Sequence, residues 1–406
     1  MAGAITVVDG GTVTTPQGFL AGATFAGLKT YAEDKLDLGL IVSEAPCAVA
    51  GVFTRNAIKS ATVTLNRERL ARGTTVRGLI VNAGIANTSV GDQGYKDATE
   101  MTVLAARKAG VTPEEMLVCS TGVIGVELPM SLIRRGVEQI RLSVDGGHHL
   151  ARAMMTTDTR PKEFGVRFVV DGKTVHLGGV AKGSGMIHPD MATMLSFLTT
   201  DAAVERGFLQ ATLSAVADIS YNMMTVDGDS STNDTVLLLA NGLAGNAAIV
   251  AGTPEAETFT AALTEVCVAL ARELARDGEG ASRLITVDVV SARDVPDARR
   301  AARTIASSAL VKSAVYGADP NWGRVLMALG RSGAAVEEEK IDLFMNGVCI
   351  MEAGKPVPFH REAVVALMKG PEVTFRLQLH LGTGEATAWG CDLTEEYVII
   401  NSAYTT

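Results

Sequence analysis

The chain has 406 residues, 47% of them hydrophobic, and a formal charge of −9, enough apolar material for one large core or a few smaller ones, since single cores seldom grow past roughly 250–300 residues. No run of Lys and Arg is long enough to neutralise a line of phosphates, so nucleic acid is not an expected partner. The opening "MAGAITVVDGGTVTTP" lacks a basic stretch followed by an apolar one, and no apolar run approaches bilayer-spanning length, so a cytoplasmic protein with no membrane partner is expected.

Five cysteines, Cys47, Cys119, Cys267, Cys349 and Cys391, are scattered among apolar residues and read as reduced core thiols without metal-ligand spacing. From Leu38 to Ala86, the runs "LGLIVSE", "CAVAGVFT" and "RGLIVNAGIA" are broken by turn residues, which predicts strands of a covered sheet. A helix follows, with Ala98, Met101, Leu104 and Ala105 on one stripe and Gly110 as a left-handed stop. A second helix is marked by Thr253 as cap, Pro254 in the first turn, and Phe259, Leu263, Val266, Leu270 and Leu274 recurring at steps of three and four before Gly278. Beyond it the period changes to two. Val373, Phe375, Leu377, Leu379 and Leu381 alternate with polar residues, and Asn346-Gly347 separates two β-prone runs as a hairpin turn. Strands and helices do not alternate strictly, so a layered α+β fold is expected rather than a doubly wound parallel one.

The most unusual stretch is 175–201, "VHLGGVAKGSGMIHPDMATMLSFLTTD". It starts as a strand, is interrupted by Gly178, Gly179, Gly183 and Gly185, and resumes as an apolar run from Met191 to Leu198. Such glycines suit a backbone that approaches another group closely or takes positive φ. A structural loop is the plainer reading of the composition. Neither a phosphate-binding loop nor the G-x-S-x-G elbow of serine hydrolases is present there.

Within it, "KGSGMIHPDMATML" (182–195) resembles the self-cleavage signature of the glutamate N-acetyltransferase family, also called ornithine acetyltransferase. Further matching segments are "AGVFTRN" (50–56), "STGVIG" (120–125), "MTTDTRPK" (155–162), "VDGDSSTNDT" (226–235), "RDGEGAS" (276–282), "YGADPNWGR" (316–324) and the terminal "NSAYTT". They follow the family's order and span nearly the whole chain. The chain departs from the family pattern at Asp190, where asparagine is expected, at Ser282-Arg283, where a Thr-Lys pair is, and in the less Asn-rich "NAGIANT" (82–88).

The resemblance implies a layered sandwich similar to N-terminal nucleophile hydrolases, cut between Ala192 and Thr193. An α chain of residues 1–192 would supply the core and oxyanion hole, residues 193–280 would complete the core, and residues 281–406 would form a C-terminal α+β domain. Thr193 is then the nucleophile, and the α-amine released by the cut is its base, with an ordinary pKa of about 7.7–8.0. Thr121 and Gly122 are implied as oxyanion donors. Thr156 or its neighbour Thr157, Lys182, Glu279, Asn401 and Thr406 are implied as substrate contacts. Glu279 suits the side-chain ammonium of ornithine.

The expected reaction moves acetyl from N2-acetylornithine to glutamate, in arginine biosynthesis, without an external cofactor; acetyl-CoA is left open as an alternative donor. The family also implies pairs of α and β chains, α2β2. The competing readings are an aminopeptidase or amidase of the related self-cleaving fold, with water as acceptor, and a binding protein without activity. His188, five positions before Thr193, reads as structural, because the free amine supplies the base and no His-Asp partner is evident. Asp227, Asp229 and Asp234 read as turn-stabilising, without a metal.

Overall fold

A computed structural model describes residues 4–29, 35–188 and 194–403. The strands are β1 (Thr6–Val7), β2 (Phe19–Thr24), β3 (Leu38–Phe53), β4 (Val76–Ile85), β5 (Met116–Val123), β6 (Lys162–Val170), β7 (Lys173–Lys182), β8 (Leu195–Thr200), β9 (Thr235–Ala240), β10 (Leu284–Ala292), β11 (Asp342–Met345), β12 (Val348–Glu352), β13 (Lys355–Pro356), β14 (Glu372–Gln378) and β15 (Gly384–Cys391). Among the described residues they form two sheets. The first runs β1-β6-β7-β8-β9-β3-β4-β5, with β2 also on β3; the second runs β13-β12-β11-β14-β10-β15.

Both sheets mix parallel and antiparallel pairs, in keeping with the α+β expectation. A parallel neighbour requires a crossover. The helix Arg206–Ile219 lies in the crossover joining β8 to β9, and the helix Gly91–Ala109 in that joining β4 to β5. The strand β3 is long enough to serve two sets of partners. Its first half lies between β2 and β4, and its second half pairs with β9.

Alternation along the central strands divides their side chains between two faces. Val236 and Leu238 of β9 join an apolar cluster with Leu213 of the helix Arg206–Ile219 and with Phe259, Leu263, Val266, Leu270 and Leu274 of the helix Pro254–Arg276. Leu237 and Leu239 join the opposite cluster, with Leu150 and Met154. The helix Pro254–Arg276 is capped by Thr253 and starts at Pro254, as its sequence predicts. Its cluster continues into the second sheet through Leu284, Val287 and Val289, so one apolar core joins both sheets.

The helix Gly91–Ala109 ends at Gly110, whose φ of 71° is left-handed, and Asn346-Gly347 turns the β11–β12 hairpin at positive φ. Two expectations need correction. The region 38–86 is not all strand, because the helix Ala61–Ala71 intervenes, started by the Ser60 hydroxyl accepting from the Thr62 amide. And β7 continues through Gly178 and Gly179; a Cβ at Gly178 would overlap the Thr12 carbonyl, and one at Gly179 would crowd Leu198. These two glycines permit close packing rather than interrupt the strand. No helix among the described residues is long and apolar enough to cross a membrane.

Candidate active site

The strand β7 ends at Lys182, and its antiparallel neighbour β8 begins at Leu195, directly opposite in register. The connection leaves β7 through Gly183, which has φ 146° and an amide that donates to Asp158 Oδ1 at 2.6 Å. The expected nucleophile Thr193, with Ala192 and Asp190, lies outside the described residues, as does Thr406. The flanks of that segment are fixed. Ile187 and Met194 are buried, and Asp227 accepts from the amides of Met186 and Ile187 at 2.6 and 2.8 Å.

The end of β5 supplies Thr121 and Gly122. Pairing with β4 is irregular there, Ile85 facing both Thr121 and Val123, which is the local distortion by which a bulge re-aims a strand. Gly122 has φ 131°, and a Cβ on it would overlap the backbone of Gly84. Only glycine at 122 lets the two strands approach so closely, while a Cβ on Gly84 would instead overlap the Leu28 carbonyl.

Thr121, Gly122, Thr156, Lys182, Glu279 and Asn401 line one cavity of about 450 Å³, with Met194 and Leu195 at the start of β8 on its wall. Lys182 Nζ donates to Thr121 Oγ1 at 3.1 Å and Thr156 Oγ1 at 2.9 Å, so one ammonium ties the end of β5 to the 155–162 segment. Burial pushes this ammonium down, while Asp158 opposes the shift. Glu279, also on the cavity wall, accepts from Thr157 Oγ1 at 2.6 Å and from Asn401 Nδ2 at 2.7 Å. Thr157 Oγ1 also lies 2.7 Å from Ser184 Oγ, and the Glu279 amide donates to the Ser184 carbonyl at 2.8 Å. Of the adjacent threonines, Thr156 therefore faces Lys182 and Thr157 faces Glu279.

Sequence reasoning missed the group that holds these residues in place. Lys162, Asp158 and Asp277 form a buried ion cluster, with Lys162 Nζ 2.6 Å from each carboxylate. Asp158 also accepts from the Thr156 amide at 3.0 Å and from the Gly183 amide. Asp277 takes the amide and hydroxyl of Thr159. Burial opposes the ionised form of Asp158, but Lys162, Lys182 and the Gly183 amide outweigh it and hold the carboxyl well below the usual range. The signal was present in "MTTDTRPK", an acid and a lysine four positions apart; its partner Asp277 is far away in sequence.

His188 is bound on both ring nitrogens. Arg303 Nη2 can only donate, so His188 Nε2, 3.1 Å away, accepts; Nδ1 then donates to Thr225 Oγ1 at 3.0 Å, and the Thr225 hydroxyl donates in turn to the Ile187 carbonyl. This arrangement suits the structural role expected of His188. Asp227 likewise organises backbone amides. Asp234 takes hydrogen bonds from Ser231 and from the Met194 amide, and it also faces the cavity. It is buried on the cavity wall, one carboxyl oxygen has no hydrogen-bond partner among the described residues, and burial pushes the carboxyl well up, against Ser231 and Lys182. Lys29 is a further cation on the cavity wall that nothing in its local sequence marked out.

Residues 20–406 match the model of the ArgJ family. The chain is 50% identical over 398 residues to the arginine biosynthesis bifunctional protein ArgJ of Symbiobacterium thermophilum, covering 98% of this chain and 99% of that protein. It is 46% identical to the protein of that name from Dehalococcoides mccartyi, with both covered completely. Among solved structures, it is similar to a chain in the crystal structure of arginine biosynthesis bifunctional protein ArgJ from Bacillus halodurans, with a TM-score of 0.51 and 45% identity, over 52% of this chain and all of that one.

Proposed function

The chain belongs to the ArgJ family, and on that premise we propose that it is an acyltransferase of arginine biosynthesis that carries acetyl from N2-acetylornithine to glutamate on Thr193. The observation that carries the reading is the convergence of Thr121, Gly122, Thr156, Lys182, Glu279 and Asn401 on one cavity, whose wall includes Met194, the residue covalently attached to Thr193.

Maturation comes first. The Thr193 hydroxyl attacks the Ala192 carbonyl, the peptide becomes an ester, and water hydrolyses it to an Ala192 carboxylate and a free Thr193 α-amine. In catalysis that amine takes the hydroxyl proton as Oγ attacks the acetyl carbonyl. The Thr121 hydroxyl and Gly122 amide donate to the oxyanion; one such donor is commonly worth about 2.7–4 kcal/mol. The proton then passes to the departing α-nitrogen of ornithine as the C–N bond breaks. Glutamate's amine attacks acetyl-Thr193, and the steps reverse. Glu279, held by Thr157 and Asn401, pairs with the δ-ammonium of ornithine. Thr406 would close the site from the C-terminus.

The same reading assigns residues 1–192 and 193–406 to two chains that assemble as α2β2 in the cytoplasm, with residues 281–406 as the C-terminal domain. Intact mass should show two chains meeting between Ala192 and Thr193, and a mass of acetyl on Thr193 after incubation with acetylornithine. Acetylglutamate should then form only when glutamate is added. Ornithine released equally fast without glutamate would replace this reading with an amidase.

A further inference from the structure

The proposed oxyanion donors, Thr121 and Gly122, lie near the end of β5, whereas Thr193 is joined to Met194 at the start of β8. In the first sheet β9, β3 and β4 stand between these two strands. Four steps of strand spacing would put β5 and β8 about 19 Å apart in a flat sheet. Their ends nevertheless line one cavity. The sheet therefore bends, and strand pairing among the described residues does not set the gap between nucleophile and donors.

Two consecutive residues at the entrance to β9 bridge that gap. Asn233 Nδ2 donates to the Ser120 carbonyl at 2.7 Å and to the Ala86 carbonyl at 2.6 Å. Its Oδ1 accepts from the hydroxyls of Thr88 at 2.9 Å and Thr232 at 2.6 Å. Carbonyls only accept, so this amide can sit only one way round, with all its hydrogen-bonding capacity used. The neighbouring Asp234 accepts from the Met194 amide. Both side chains are buried on the cavity wall. The backbone that carries them is pinned as well: the amides of Ser60, Thr54 and Thr235 donate at 3.0 Å to the carbonyls of Thr232, Asp234 and Met194.

Asn233 thus grips the residue before Thr121, and Asp234 grips the residue after Thr193. Lys182 also reaches Thr121 from β7, but through a flexible stem and onto a hydroxyl. Asn233 instead holds main-chain carbonyls with a short planar amide, which leaves the end of β5 less freedom.

We propose that Asn233 and Asp234 are positioning residues that together set the distance between Thr193 and its oxyanion donors. This rests on the reading of the cavity as an acetyl-transfer site, and deepens it. The bridge crosses the proposed cut, since both residues belong to 193–406 while Ser120 and Ala86 belong to 1–192. It therefore keeps the two chains in catalytic register once the peptide bond is gone. An oxyanion forms both when acetylornithine acetylates Thr193 and when glutamate removes the acetyl group, so both half-reactions depend on the bridge.

The test follows the two half-reactions of the matured full-length protein, with rates taken per cut chain as counted by intact mass. Asn233→Ala should lower kcat by about 100-fold, the scale of a misplacement of about 1 Å, equally in both half-reactions and with KM for acetylornithine nearly unchanged. Asp234→Ala should do the same. Burial already favours the neutral Asp234 carboxyl, so Asp234→Asn, which keeps an acceptor of the same shape, should recover most of that loss. Because both residues set one distance, Asn233→Ala combined with Asp234→Ala should lose far less than the product of the single losses. Losses that multiply, a raised KM with kcat intact, or a loss confined to one half-reaction would overturn the proposal. If the alanine variants do not fold, Thr88→Val decides. It removes a hydroxyl that orients Asn233 without itself lining the cavity, and should lower kcat by up to about 10-fold; an unchanged kcat overturns the proposal. No transfer from acetylornithine by the unaltered enzyme removes the reading of the cavity, and this assignment with it.

Discussion

Lys162 is almost fully enclosed, and it holds two buried carboxylates that in turn fix the backbone on both sides of the cavity. Removing one partner of such a cluster leaves uncompensated buried charge, so Lys162→Met should cost about 3–5 kcal/mol, read from denaturant midpoints. Asp158, whose carboxyl is held down, adds stability that is present above its unfolded value of about 3.9 and is lost as pH falls through its lower folded value. Asp234 works in the opposite direction. Burial raises its folded carboxyl, so the folded state keeps a proton that the unfolded chain releases, and stability falls as pH rises past about 4. Asp234→Asn should therefore melt higher than the unaltered protein at neutral pH, with the difference shrinking toward pH 4; a thermal scan at several pH values checks it.

At the scale of elements, the sequence was readable where local signals and burial agreed. The helix Pro254–Arg276 announced itself through cap, proline and apolar stripe, and the β11–β12 hairpin through Asn346-Gly347. The helix Ala61–Ala71 was hidden, because its Thr-Val-Thr start is β-prone and its apolar residues form no clear stripe. The individual site residues became legible through family resemblance alone, since Thr121, Lys182 and Glu279 sit on separate elements and no spacing along the chain joins them. The packing that makes their glycine neighbours indispensable is visible only in three dimensions. A Cβ at Gly185 would overlap the Glu279 carboxylate. Gly185→Ala should therefore push that carboxylate off Thr157 and Asn401, raising KM for acetylornithine more than for glutamate in steady-state assays. Gly122→Ala meets backbone rather than a movable side chain and also carries φ 131°, so it should lower kcat by about 10²–10³ through displacement of the proposed oxyanion donor.

The first sheet is composite about the proposed cut. Strands β1 to β7 precede residue 192 and β8 and β9 follow it, yet β8 is hydrogen-bonded between β7 and β9 along its whole length, and β9 is paired with β3 over six residues. Cleavage removes one peptide bond and none of these pairings, so the two chains should remain together through gel filtration and separate only in denaturant. The converse follows from the same topology. Expressed alone, residues 193–406 would present β8 and β9 with both outer edges unpaired, and would expose the apolar face built from Phe197, Leu237 and Leu239 that residues 1–192 cover. That fragment should be insoluble by itself and recovered as a complex when residues 1–192 are co-expressed. Once its initiator Met is removed, Thr193 would start its chain without self-cleavage, so activity of such a complex would separate catalysis from the cut: full transfer by the co-expressed chains makes a free Thr193 α-amine sufficient however it is generated, whereas a folded but inactive complex would tie activity to the cleavage event itself.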